Sequence, residues 1–193
     1  MSPLDQPNTA IDESTVSPMS TIVRYGLIGG LLLVVYTLLG NTLGFSRPSG
    51  GIMSMVINLL FVLIFYPVLC VLATKKHRDD ELGGYISLGR AFVVAFGTGL
   101  IASVISVIFN YIYMTVIDPN YMADIADEAV GMYEKMGMSE EQIDAAVEQL
   151  QKGLSLSRQF LTFGIGAALG AIPSIIIALV MKKEPPATIE DEA

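Results

Sequence analysis

Charge is what most of this chain lacks. Lys, Arg, Asp and Glu make up 16% of its 193 residues, and the stretches 25–46, 48–74, 91–117 and 159–181 contain none of them. Histidine and cysteine occur once each, as His77 and Cys70. A single cysteine excludes an intramolecular disulfide and leaves the redox compartment open. A single histidine with no second motif beside it offers no nucleophile–base pair and no metal cluster. The sequence therefore reads as non-catalytic, with no cofactor and no metal centre. Cations are scarce as well: 11 Lys and Arg stand against 19 Asp and Glu, a net charge of −8. Nucleic acid is excluded as a partner by that balance, because phosphate binding needs clustered Lys and Arg on one face.

What is present is hydrocarbon. The chain is 52% hydrophobic, with a mean hydropathy of +0.58. Each uncharged stretch reaches or passes the roughly 20 residues a helix needs to cross hydrocarbon about 30 Å thick. A soluble helix would show polar residues at every turn; LLLVVYTLL, LLFVLIF and IIIALV show none. The expected fold is all-α and polytopic, with the lipid bilayer as partner and four transmembrane helices over about 22–44, 52–74, 91–117 and 159–181 of a 21–183 membrane domain. Residues 1–20, rich in Pro, Ser, Thr and Asp and without a basic start or cleavage site, are expected as a disordered polar tail. The first apolar stretch then stays as an uncleaved anchor, and 184–193 form a disordered acidic tail.

Basic residues are retained on the cytoplasmic side of a membrane, whereas acids contribute little to orientation. With four alternating spans, Arg24, Lys75, Lys76, Arg78, Arg90, Lys182 and Lys183 fall on one side. Both termini are thereby expected in the cytoplasm, and 118–158 outside. The charged stretch KKHRDDELGGYISLGR, residues 75–90, becomes a stop and a restart between the second and third helices. Glu81, Gly83, Gly84 and Arg90 form its candidate motif. Gly83 and Gly84 bend the backbone cheaply, and Tyr85, Ile86 and Leu88 offer apolar groups to a membrane interface. An ordinary connecting turn is the alternative.

DDELGGYISLGRAF, then YIYMTVIDPNY and GMSEEQI, with RYGLIGG before the first helix and ALVMKK at the end of the fourth, resemble a bacterial membrane-protein family catalogued as domain of unknown function 4199. That resemblance spans nearly everything between the tails. It implies a four-helix inner-membrane protein and transfers no catalytic residue.

Helices in lipid associate through small residues that let backbones approach and through a few polar side chains. Gly26 and Gly30 on the first helix, and Gly166 and Gly170 in line with Ser174 on the fourth, are the candidate packing positions. On the third helix Gly99, Ser103, Ser106, Asn110 and Tyr113 recur on one stripe, expected to face the bundle. Ser103, Ser106, Asn110 and Tyr113, with Asn58 of the second helix, are either a polar lining for a solute or helix–helix hydrogen-bonding groups; Asn58 and Asn41 are the partners expected for the stripe. Pro67 and Pro173 sit at similar depth before KK pairs, hinting at two parallel helical hairpins.

The 118–158 segment is too patterned for a plain connection. Asp118 and Pro119 read as a helix start, Gly137 as its end, and Ser139 with Gln142 as a capping box for a second helix. Apolar faces over Met122, Ile125, Ala129, Met132 and Met136, then Ile143, Val147, Leu150 and Leu154, make an amphipathic hairpin outside the membrane. Its acids Asp124, Asp127 and Glu128 match no calcium loop. Met132, Met136 and Met138 read as flexible filler rather than copper ligands.

Function is expected to be structural or accessory: a bundle recognised by other membrane proteins, or self-associating. The alternative is a transporter or channel component with an uncharged polar path. A coupled transporter usually keeps an ionisable group near the midplane, and none lies in the four spans.

Overall fold

The computed structural model describes residues 11–47, 50–153 and 156–185. Six α-helices follow in order: α1 Met19–Leu43, α2 Gly51–Lys76, α3 Leu88–Ile112, α4 Tyr121–Lys135, α5 Glu140–Gly153 and α6 Leu156–Met181. A π-helical turn, His77–Glu81, prolongs α2, and another, Tyr113–Ile117, prolongs α3. Among the described residues there is no strand, only one antiparallel bridge pairing Ile86 with Lys183. Four segments are long and apolar enough to cross a membrane: Met19–Leu43, Gly51–Glu81, Leu88–Ile117 and Phe160–Met181.

The distribution of side chains explains the assembly. Buried on α1 are Thr21, Gly26, Gly29, Gly30 and Asn41, and on α3 Ala91, Ala95, Thr98, Gly99 and Ala102. Facing outward are Leu27, Leu31, Leu60, Ile64, Val104, Ile108, Ile176 and Val180. Small residues inside and branched hydrocarbon outside is the reverse of a water-soluble core. It suits helices that gain nothing from burying Leu against Leu and associate by close backbone approach.

The central element is α3, which packs against α1, α2 and α6. Helix α1 runs parallel to it, with Gly26 against Ile101, Gly30 against Ile105 and Gly97 against Ile22, an offset of 75 residues each time. A Cβ built on Gly26 would lie 2.6 Å from the Cβ of Ile101, and one on Gly30 2.7 Å from the Cβ of Ile105. Neither position admits a side chain without moving the helices apart. Helix α2 crosses α3 antiparallel, where the Cys70 thiol donates to the Ala95 carbonyl at 3.3 Å and Gly99 accommodates the Tyr66 ring. Helix α6 joins the same layer through Ile177 and Met181, packed with Cys70 and Ala95.

At the end of the bundle carrying Lys75 and Lys183, the 77–90 connection folds inward. Leu82 and Ile86, with Ala91 and Ala178, make a buried cluster. The turn that brings them there uses Gly83 at φ 70° and Gly84 at φ 96°, a region open to glycine and strained for other residues. Ile86 and Lys183 exchange backbone hydrogen bonds at 2.9 and 3.0 Å. Residues 1–10 of the expected tail and 186–193 of its C-terminal counterpart lie outside the described residues. Residues 11–18 lie against the connection, where the Glu13 carboxylate accepts from the Ser87 amide at 2.5 Å and from its hydroxyl at 2.6 Å. The Arg90 guanidinium donates to the Glu13 and Val16 carbonyls. The backbone amide of Ser14 holds the Asp12 carboxyl below its usual range.

Four helix starts differ from the sequence reading, α1 beginning at Met19 rather than about 22 and α6 at Leu156 rather than about 159. Ser87, whose hydroxyl accepts from the Arg90 amide at 3.3 Å, starts α3 at Leu88 rather than at 91. Helix α4 starts at Tyr121, not at Pro119: the π turn draws the Asp118 amide back to the Tyr113 carbonyl at 2.8 Å, and the Tyr121 amide closes a turn onto the Asp118 carbonyl at 3.1 Å before the helix begins. Elsewhere local chemistry matches. Gly137 follows α4 at φ 76°, with the Met138 amide bonded to the Tyr133 carbonyl at 3.2 Å. The Ser139 amide donates to the Gln142 side chain at 3.0 Å, and the Gln142 amide returns a bond to the Ser139 hydroxyl at 3.4 Å.

Candidate functional site

Between α2, α3 and α6 lies a cavity of about 690 Å³. It exists because α2 and α6 meet closely only toward the Lys75 end. There the Tyr66 hydroxyl donates to the Gly170 carbonyl at 3.2 Å and lies 3.1 Å from Ser174 Oγ, which itself donates to that carbonyl at 2.8 Å. Pro67 and Pro173 lie beside this contact, both within continuous helix. Beyond it the helices diverge, leaving a cleft with Phe61, Phe65, Phe96 and Phe163 on its walls.

Ser103, Ser106 and Asn110 line this cleft together, with Gly166 and Gly170 on the facing wall. Their hydrogen bonds stay within α3: Ser103 donates to the Leu100 carbonyl at 2.9 Å, and Asn110 Nδ2 to the Ser106 carbonyl at 2.8 Å. Gly170 carries the Tyr66 contact, whereas a Cβ at Gly166 would meet nothing within 4 Å. Gly166 thus leaves room in the cleft and draws no neighbouring helix in.

Asn58 and Tyr113 are elsewhere. Asn58 accepts from the Tyr36 hydroxyl at 2.9 Å and donates to the Phe45 and Ser54 carbonyls at 3.2 and 2.7 Å, tying α1 to α2. Tyr113 is buried at the start of its π turn, edge-on to Tyr121. Asn41, the other expected partner of the α3 stripe, accepts from the Tyr121 hydroxyl at 3.1 Å. The asparagines therefore join α1 to α2 and α4. Sequence reasoning missed Tyr66, the floor of the cleft. Its only local signal is a lone phenol beside a proline in an apolar run, since the glycines that receive it, Gly99 and Gly170, lie on other helices.

Two polar clusters close the ends. At the basic end His77 is fully buried, with Nδ1 2.7 Å from Glu81 Oε2. A carboxylate only accepts, which assigns that proton to the imidazole. Thr21 of α1 donates to the other Glu81 oxygen at 2.5 Å. Glu81 therefore clasps α1 to the end of α2, while Gly83, Gly84 and Arg90 shape the connection that follows. At the opposite end Arg47 pairs with Glu128 of α4 at 2.7 Å and lies over the Tyr121 ring. The hydrogen bond to Glu128 raises the Arg47 pKa, and burial raises that of Tyr121.

An all-helical chain with four membrane-length apolar helices around an uncharged cleft is what sequence and structure define together. The chain belongs to the family described as Protein of unknown function (DUF4199), which it matches over residues 24–183. No curated protein and no solved structure gives a significant match.

Proposed function

We propose that this chain is a non-catalytic, multi-pass protein of the inner membrane with an accessory role, whose α4–α5 pair forms an extramembrane hairpin that partner proteins recognise. The supporting observation is that α4 is anchored while its acids stay outward. Arg47–Glu128 and Tyr121–Asn41 fasten it to the bundle, and Asp124, Asp127, Glu134, Glu140, Glu141, Asp144 and Glu148 are exposed. A held, predominantly acidic surface, with Lys135 and Lys152 as its exposed cations, orients and selects partners through electrostatic complementarity. The basic end, with both termini, faces the cytoplasm under the retention rule for Lys and Arg. Reversing Asp124, Asp127, Glu140 and Asp144 to Lys is expected to cut affinity recovery of crosslinked membrane partners while leaving the inserted amount unchanged, because exposed substitutions alter stability by about 0.5 kcal/mol or less each. Equal loss of both quantities contradicts the assignment.

The cleft favours a second reading, a transporter or channel component with an uncharged path along Ser103, Ser106 and Asn110. It predicts that Asn110→Leu abolishes glycerol flux into proteoliposomes at unchanged protein content. Absence of flux in the unaltered protein rejects that path.

A further inference from the structure

The cleft's dimensions and lining specify its occupant more narrowly than a solute path does. From Phe96 to Asn110 its α3 wall runs about 21 Å at 1.5 Å per residue. A volume of about 690 Å³ spread along that wall makes the cleft elongated, the shape of an extended chain. The volume itself lies within the ~300–1,000 Å³ range of small-molecule sites. No Asp, Glu, Lys, Arg or His stands among the described residues that line it, so a charged group entering it would lose its hydration without a counter-charge.

The Ser103 hydroxyl and the Asn110 amide nitrogen already donate within the helix, which leaves Ser103 Oγ and Asn110 Oδ1 as acceptors toward the cleft. Between them the Ser106 hydroxyl accepts from Asn110 at 3.4 Å and keeps its own proton to give. An occupant with a hydroxyl, which both donates and accepts, complements this wall. The mouth opens sideways: Val62, Leu63 and Leu169 line the cleft and are each about 60% exposed, so access is through surface that the four-span reading places in hydrocarbon.

We propose that the cleft binds a neutral single-chain amphiphile drawn laterally from the bilayer, its hydroxyl-bearing group against Ser103 and Asn110 and its hydrocarbon chain running toward Tyr66. This deepens the second reading by naming a ligand class, and it is tested by occupancy, so a protein without flux can still meet it.

The probe is a monoacylglycerol with a diazirine on its acyl chain, photolysed with the full chain in nanodiscs. Saturable labelling of α3 and α6 peptides lining the cleft is expected, displaced by unlabelled monoacylglycerol and not by palmitate, whose carboxylate the lining cannot neutralise. A Cβ at Gly166 meets nothing within 4 Å, and Gly166→Phe extends from there into the cleft that Gly166 lines. It is expected to reduce labelling at least roughly tenfold, since excluding even two buried methylenes has about that effect on affinity. Gly164, on the same helix, likewise has nothing within 4 Å of a Cβ and lies off the lining; Gly164→Phe should label normally. Labelling that does not saturate, that palmitate displaces equally, or that both phenylalanine variants share overturns the proposal. Crosslinks joining two chains through cleft residues do the same, because they put a second copy there. If Gly166→Phe does not fold, the displacement series on the unaltered protein still decides the matter.

Discussion

Replacing Gly26 and Gly30 together by isoleucine is expected to remove most of the protein's resistance to thermal unfolding in detergent micelles. Each new Cβ would stand under 3 Å from Ile101 or Ile105, closer than carbon atoms pack, so α1 must retreat from α3 along their shared face. Overpacking costs about 1–3 kcal/mol per site, and two sites on one contact approach the ~5–15 kcal/mol total typical of a folded domain. The protein carries its own reporter. Cys70 is the single cysteine and is fully buried, so a thiol-reactive dye registers opening of the bundle. Adding Ile101→Ala and Ile105→Ala should restore much of the loss by reopening the space. An unchanged melting profile in the double isoleucine variant rules out the α1–α3 contact described above.

Glu81→Ala is expected to have the next largest effect. It strips the acceptor from two buried donors at once, Thr21 at 3% exposure and His77 at 0%. An orphaned buried polar group costs about 1–3 kcal/mol, so the loss should reach roughly 2–5 kcal/mol and separate α1 from the end of α2. Glu81→Gln keeps an oxygen for Thr21, while a donor to His77 would need the imidazole proton on Nε2, which is buried without a partner; it should recover only the Thr21 part of the loss. Asp80→Ala is the matched control, because the Asp80 side chain is 54% exposed and its pairing with Lys76 is a surface contact that adds little to stability. The same Cys70 assay reads all three. Equal effects of Glu81→Ala and Asp80→Ala reduce the cluster to a solvated charge group.

Features written in local chemistry were legible before any coordinates. The four spans follow from runs without charge, and the α4–α5 boundaries follow from Gly137, Ser139 and Gln142. Features that depend on which faces meet were not. Periodicity places Gly26 and Gly30 on one face of α1, yet nothing in the spacing says that the face meets α3, which arrives after α2. Residues 77–90 read as a connecting turn or an interfacial motif, whereas the inward turn buries Leu82, Ile86 and His77 and uses the charges to fasten its rim. For the α3 stripe, sequence put hydrogen-bonding glue ahead of a solute lining. Ser103, Ser106 and Asn110 face a cleft that exists only because α2 and α6 diverge beyond Tyr66, a divergence no single helix encodes.

The parallel seam between α1 and α3 also imposes a schedule on biosynthesis. Its two halves are 75 residues apart in the chain, so at roughly 5–20 residues per second the ribosome takes about 4–15 s to supply the second half after the first. Through that interval the notch cut by Gly26 and Gly30 waits without the α3 isoleucines that fill it.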